Sequence, residues 1–130
     1  MTRPRAAATS PRMMEITQEF HFDAAHHLDV GPPENLRLHG HSFYAEVTLR
    51  GEPDAQSGLI RDFGEVRAAL DEIARDLDHR LLNDVDGLGP PTLENLARYI
   101  HRRAMAKLSG VVRVRLRRPS CGQSCVYEPG

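Results

Sequence analysis

Residues 38–50, LHGHSFYAEVTLR, decide the fold class. His39, His41, Phe43, Ala45, Val47 and Leu49 fall on one side of an extended chain, with Tyr44, Glu46, Thr48 and Arg50 on the other. Alternation at period two marks a strand with one buried face and one wet face. The stretch GEPDAQSG, Gly51 to Gly58, breaks that strand with turn-forming residues. On its other side, GPPEN (Gly31 to Asn35) is also turn material. Before it, Ile16, Gln18, Phe20 and Phe22 alternate with Thr17, Glu19 and His21, a first strand that begins near Met14.

Downstream the period changes. Asp62 stands where a helix N-cap is needed, and Glu65 completes a capping-box spacing. Phe63, Val66, Leu70, Ile73 and Leu77 follow at helical intervals. Thr92, behind Pro91, caps a second helix with Leu93, Leu96, Ile100 and Leu108 on its apolar side. After Ser109-Gly110, Val112, Val114 and Leu116 alternate with Arg113 and Arg115 in a last strand. Strands, then two helices, then strand is the order of an α+β domain with its helices on one face of an antiparallel sheet.

The chain has 130 residues, the size of one globular domain, and 40% of them are hydrophobic, enough for a core. No apolar run approaches the roughly 20 residues of a membrane helix, so a membrane protein is not expected. Two cysteines, Cys121 and Cys125, do not make a disulfide scaffold, which points to a reducing cytoplasm. Residues 1–13 lack apolar periodicity and an h-region; they read as a disordered tail ahead of a domain at 14–130, with Met13 and Met14 as alternative starts. From Asn95 to Tyr127 there is no acid, while Arg98, Arg102, Arg103, Lys107, Arg113, Arg115, Arg117 and Arg118 are basic. Such a run suits a phosphate-bearing partner, a solvated face or a subunit contact. No aromatic–basic interleaving or recognition helix accompanies it, which argues against nucleic acid.

Among seven histidines, His39 and His41 share one face of a strand, so a single strand offers two imidazoles to one ion. His26 or His27, at the end of the first strand, can supply a third. Three nitrogen ligands without a fourth protein ligand describe a catalytic zinc site with an open position. Asp78-His79, in LDHRLLND, sets a carboxylate beside an imidazole, as a general acid or base requires.

FDAAHHL, LHGHSF, LIRDFGEV, LDHRLLN and PTLENLA occur in order and, from about Met14 to Tyr127, the chain resembles the 6-pyruvoyl- and 6-carboxy-tetrahydropterin synthase family. The resemblance implies a tunnelling fold (T-fold): a four-stranded antiparallel sheet with two helices on one face, trimers closing a barrel, and trimers stacking into a homohexamer. It assigns zinc to His26, His39 and His41, and proton relay to His79 with Asp78. The substrate it implies is 7,8-dihydroneopterin triphosphate, and the compact length resembles the 6-carboxy branch, which serves queuosine synthesis.

The family's catalytic cysteine precedes HGH, but here Asn35 stands at its place and Glu34 is the candidate base. The family's pterin-anchoring Glu is likewise replaced: Pro119 and Ser120 occupy the Glu-Thr position, leaving Gln123 or Glu128 as substitutes. Gln123, Glu94 and Phe63 are taken as substrate-binding residues, and Cys121 and Cys125 as structural ones. The alternatives are a 6-pyruvoyl-tetrahydropterin synthase, a dihydroneopterin side-chain-cleaving enzyme with Glu34 as base, and a non-catalytic zinc- or pterin-binding homologue.

Overall fold

Strands β1 (Met14–His26), β2 (His39–Gly51), β3 (Val111–Arg118) and β4 (Gln123–Tyr127) form one antiparallel sheet in sequence order. Helices α1 (Phe63–Leu77) and α2 (Leu93–Met105) connect β2 to β3 and cover one face. The computed structural model describes residues 12–130. The tail expected at residues 1–13 therefore lies outside the described residues except for Arg12 and Met13. No helix among the described residues is long and apolar enough to cross a membrane.

β1 and β2 pair without interruption from Met14 opposite Gly51 to His26 opposite His39. That unbroken register matters, because side chains repeat every second residue and a one-residue slip would turn every histidine to the other face. Phe22, Phe43, Ala45, Val47 and Leu49 point inward and are buried against Val66, Leu70, Ile73 and Leu77 of α1 and Leu96 and Ile100 of α2. Burying a Leu, Ile, Val or Phe side chain is worth about 1.5–3 kcal/mol, so this face supplies much of the stability.

The last strand departs from simple alternation. Thr48 opposes Arg113 while Leu49 opposes Val111, so one residue, Val112, is extra at a β-bulge. Val111 thereby takes the core place that alternation assigns to Val112. Asp62 caps α1 as expected, accepting the Glu65 N–H at 3.2 Å, but the Glu65 carboxylate lies 3.6 Å from Arg61, one turn away on the same face. Thr92 caps α2 through the Asn95 N–H at 3.1 Å. That helix ends at Met105, so Leu108 is buried from the turn that follows rather than from the helix, its N–H bonded to Ala104 O at 2.8 Å.

The sheet's other face is polar. Arg113 bonds Glu15 and Glu128, Arg115 bonds Glu46, and Arg117 bonds Glu19 while its guanidinium lies 5.2 Å from the Tyr44 ring. Arg103 and Lys107 reach Asp76 and Glu72 of α1. The acid-free stretch of sequence is therefore not an acid-free surface, because antiparallel pairing lays it beside the acids of β1 and β2. Hydrogen bonds from Arg113 and Arg50 hold the Glu15 carboxyl below the usual range.

Candidate active site

β1 and β2 approach closely where they end. A Cβ on Gly40 would lie 3.2 Å from the Ala24 carbonyl oxygen, which explains a glycine between the two histidines of HGH. Beside that contact His26, which is fully buried, faces His39 across the ladder, with Nε2 to Nε2 at 3.0 Å. His41 completes a group of three imidazoles, and one nitrogen of each lies within 4.8 Å of the others.

The outer nitrogens fix the tautomers. His26 Nδ1–H donates to Pro91 O at 2.9 Å and His39 Nδ1–H to Arg37 O at 2.8 Å. A neutral ring that donates from Nδ1 presents a lone pair at Nε2. Two such lone pairs face each other here, an arrangement that repels unless a cation lies between them. Zinc–nitrogen bonds of about 2.0–2.1 Å in a tetrahedron separate ligand nitrogens by about 3.3–3.4 Å, near the 3.0 Å between His26 and His39 and inside the 4.8 Å that spans all three rings. Burial holds the His26 imidazole below its ordinary value. Burial, then the Arg118 charge and the neighbouring imidazoles, push His41 down to about 4. Both rings are therefore neutral at pH 7, as metal ligation requires. The donor set fits a tetrahedral ion with one open position.

His27 points away from this group: its Nδ1 lies 3.5 Å from Asp29, and its backbone is held on both sides by the Asn83 amide.

A cleft of about 680 Å³ adjoins the cluster, lined by His41, Ser42, Asp23, His79 and Ser120 among others. Asp78 ends α1, and one of its oxygens accepts the Asp23 N–H at 2.9 Å. The other accepts His79 Nδ1–H at 2.9 Å, which leaves the lone pair of the neutral ring on Nε2. His79 N–H donates to Asp23 O at 2.6 Å, and its backbone adopts φ 58°, the left-handed region. Holding a non-glycine residue there costs on the order of 1–3 kcal/mol, supplied by these ties to β1. The bond to Asp78 raises the His79 pKa, while the Asp23 N–H, followed by His79, lowers that of Asp78.

The other expected site residues divide. Glu94 and Gln123 meet at a second cleft of about 360 Å³ that also includes Arg118 and Thr92. There Arg118 Nε donates to Gln123 Oε1 at 2.7 Å, while Glu128 is taken by Arg113. Glu34 lies on an exposed turn, Pro33–Leu36, and is not among the residues lining the main cleft. Asn35 clamps that loop, bonding Val30 O through its side chain and Leu28 N–H through its carbonyl. Phe63 begins α1, at the opposite end from Asp78-His79, is 47% exposed, and is not among the residues lining either cleft.

Sequence reasoning missed three neighbours of the cluster: the Pro91 carbonyl, Arg118, and Cys121, whose Sγ lies 3.7 Å from His41 Nδ1. None carries a one-dimensional signal, since each arrives from a distant segment.

Known proteins share both sequence and shape with the chain. A Pyrococcus furiosus dihydroneopterin monophosphate aldolase is 37% identical over 94 residues, covering 72% of this chain and 77% of the relative. A Synechocystis 6-carboxy-5,6,7,8-tetrahydropterin synthase is 39% identical over 93 residues, covering 68% and 72%. The structure of Caenorhabditis elegans 6-pyruvoyl tetrahydropterin synthase superposes with a TM-score of 0.79 at 23% identity, covering 91% of this chain and 96% of that one. A Plasmodium vivax 6-pyruvoyltetrahydropterin synthase, in a variant with a catalytic glutamate replaced by alanine, gives a TM-score of 0.76 at 16% identity, covering 92% of this chain and 99% of that one. The pattern of the 6-pyruvoyl tetrahydropterin synthase family matches residues 15–130, which hold all four strands but for Met14, both helices and the clustered histidines, and the chain belongs to that family.

Proposed function

We propose that this protein is a zinc-dependent lyase that converts 7,8-dihydroneopterin triphosphate to 6-carboxy-5,6,7,8-tetrahydropterin, the chemistry that feeds queuosine synthesis. The observation that carries the reading is the convergence of His26, His39 and His41 beside a cleft that His79 also lines. Zinc held there would act as a Lewis acid on the oxygens of the substrate side chain. His79 is the proton-transfer group: Asp78 fixes its Nδ1–H, leaving Nε2 to take or give a proton, and the bond to Asp78 raises its pKa and so its basicity. Glu94 and Gln123, at the second cleft, are the candidates to hold the pterin edge. Domain 14–130 is the catalytic unit in this reading, assembled as a homohexamer and working in the cytoplasm, a setting that suits two free cysteines.

A second reading is side-chain cleavage of a dihydroneopterin phosphate with Glu34 as base. It is favoured by the lack of a cysteine between His27 and Leu38, by the Pyrococcus relative's activity, and by the catalytic glutamate of the Plasmodium protein. Glu34 would then have to reach the main cleft through movement of its exposed turn.

Incubating the zinc-loaded protein with dihydroneopterin triphosphate and, separately, the monophosphate, followed by mass spectrometry, tests both. Formation of 6-carboxytetrahydropterin supports the first reading. A two-carbon aldehyde phosphate from the monophosphate supports the second. Pterin binding without any product defeats both and leaves a binding protein.

A further inference from the structure

The three clustered imidazoles are not held alike. His26 and His39 each give Nδ1–H to a main-chain carbonyl oxygen, at 2.9 and 2.8 Å. For His41 the partner of Nδ1 is a side chain, Sγ of Cys121, at 3.7 Å. Sulfur is a weak acceptor whose contacts run longer than those of oxygen, so the distance is that of a hydrogen bond rather than of a clash. The local structure delivers the thiol to this position. At the end of β3 the chain makes one tight turn, Pro119–Cys121, closed by Gly122 in the left-handed region at φ 66° with its N–H on Pro119 O at 3.0 Å. Arg118 and Gln123 bond across the base of that turn at 2.7 Å, and β2 lies beside it. Cys121 thereby reaches His41 across 80 residues of sequence.

We infer that Cys121 is the positioning residue of His41: its sulfur accepts the Nδ1–H, sets the same tautomer that the carbonyls set in the other two rings, and leaves Nε2 for the ion. This rests on the metal reading proposed above. Partners of this kind orient metal-bound histidines, and their loss typically costs about 10- to 100-fold in metal affinity. A single sulfur on an exposed turn is a weaker acceptor than a main-chain carbonyl oxygen, so His41 is the ligand most open to disturbance, and Cys121 is where the disturbance enters.

Zinc affinity, read by competition with a chromophoric chelator, tests this in wild type, C121A and C121S, with circular dichroism as the check on folding. C121A is expected to keep the fold and bind zinc about 10- to 100-fold more weakly, and C121S to recover part of the loss because a hydroxyl oxygen also accepts. Cobalt(II)-loaded wild type is expected to show tetrahedral ligand-field bands without thiolate-to-metal charge transfer. Equal zinc affinity in C121A and wild type overturns the inference. So does a charge-transfer band that disappears in C121A, since Cys121 would then be a direct ligand. A wild-type protein that binds no zinc defeats the metal reading itself, an outcome distinct from the other two.

Discussion

Strand alternation separates His26 from its neighbour His27: the first is buried against His39, while the second faces Asp29 and the outside. His39→Ala and His41→Ala should therefore lose nearly all bound zinc by elemental analysis, while His27→Ala keeps it. If His27→Ala empties the site and His26→Ala does not, the ligand assignment is wrong. His79 is tied to Asp78 and not to the cluster, so its removal should spare the metal. His79→Ala is expected to lower turnover about a hundred- to ten-thousand-fold at unchanged zinc content. Asp78→Asn should lose less, because it disturbs the orientation of the imidazole rather than removing it. Wild-type turnover in His79→Ala would dismiss the Asp78-His79 pair as catalytic.

At the scale of elements, the site hangs on the ends of secondary structure. Pro91, which accepts from His26, immediately precedes Thr92, the N-cap of α2, so one short segment both starts a helix and seats a ligand. Thr92→Ala should lower stability by about 1 kcal/mol, read as a shifted urea midpoint at constant slope. An unshifted midpoint would mean that Pro90 and Pro91 alone set the helix start. Both caps and both helical faces were legible in the sequence because caps act on N–H groups only three residues away. The bulge at Val112 was not, because it depends on how β3 meets β2 and leaves the residue pattern of β3 unchanged.

For the whole molecule, the burial that keeps His26 and His41 neutral has a cost in acid. Their pKa values are lower in the folded chain than the ordinary 6.5, so below that pH the unfolded chain takes up protons first. Stability of the metal-free protein should be full above about 6.5 and fall as the pH drops toward about 4, measurable as urea midpoints at pH 7 and pH 5. His41→Ala should flatten that dependence, and an unaltered slope would show that other groups carry it. The thirteen-residue strand β1 and the short β4 lie at the two edges of the sheet, and its polar face has no covering layer among the described residues. A trimer-based assembly, most simply a hexamer, is expected by light scattering at micromolar concentration, and a monomer there would count against it.

The sequence alone determined the strand at 38–50, its partner from Met14, both amphipathic helices with their caps, and the pairing of His39 with His41 on one face. These follow from periods of two and 3.6 residues, which are local properties of a chain. Tertiary structure decided what those periods cannot carry. The register of β1 on β2 set His26, not His27, beside His39, a choice that residue spacing left open and the family resemblance implied. The fold set Pro91, Arg118 and Cys121 around the imidazoles from segments far along the chain. Antiparallel pairing also matched the arginines of β3 with the glutamates of β1 and β2, turning what reads as a basic run into a network of ion pairs. Contacts between distant segments depend on packing and register, and neither is written in the spacing of residues along any one segment.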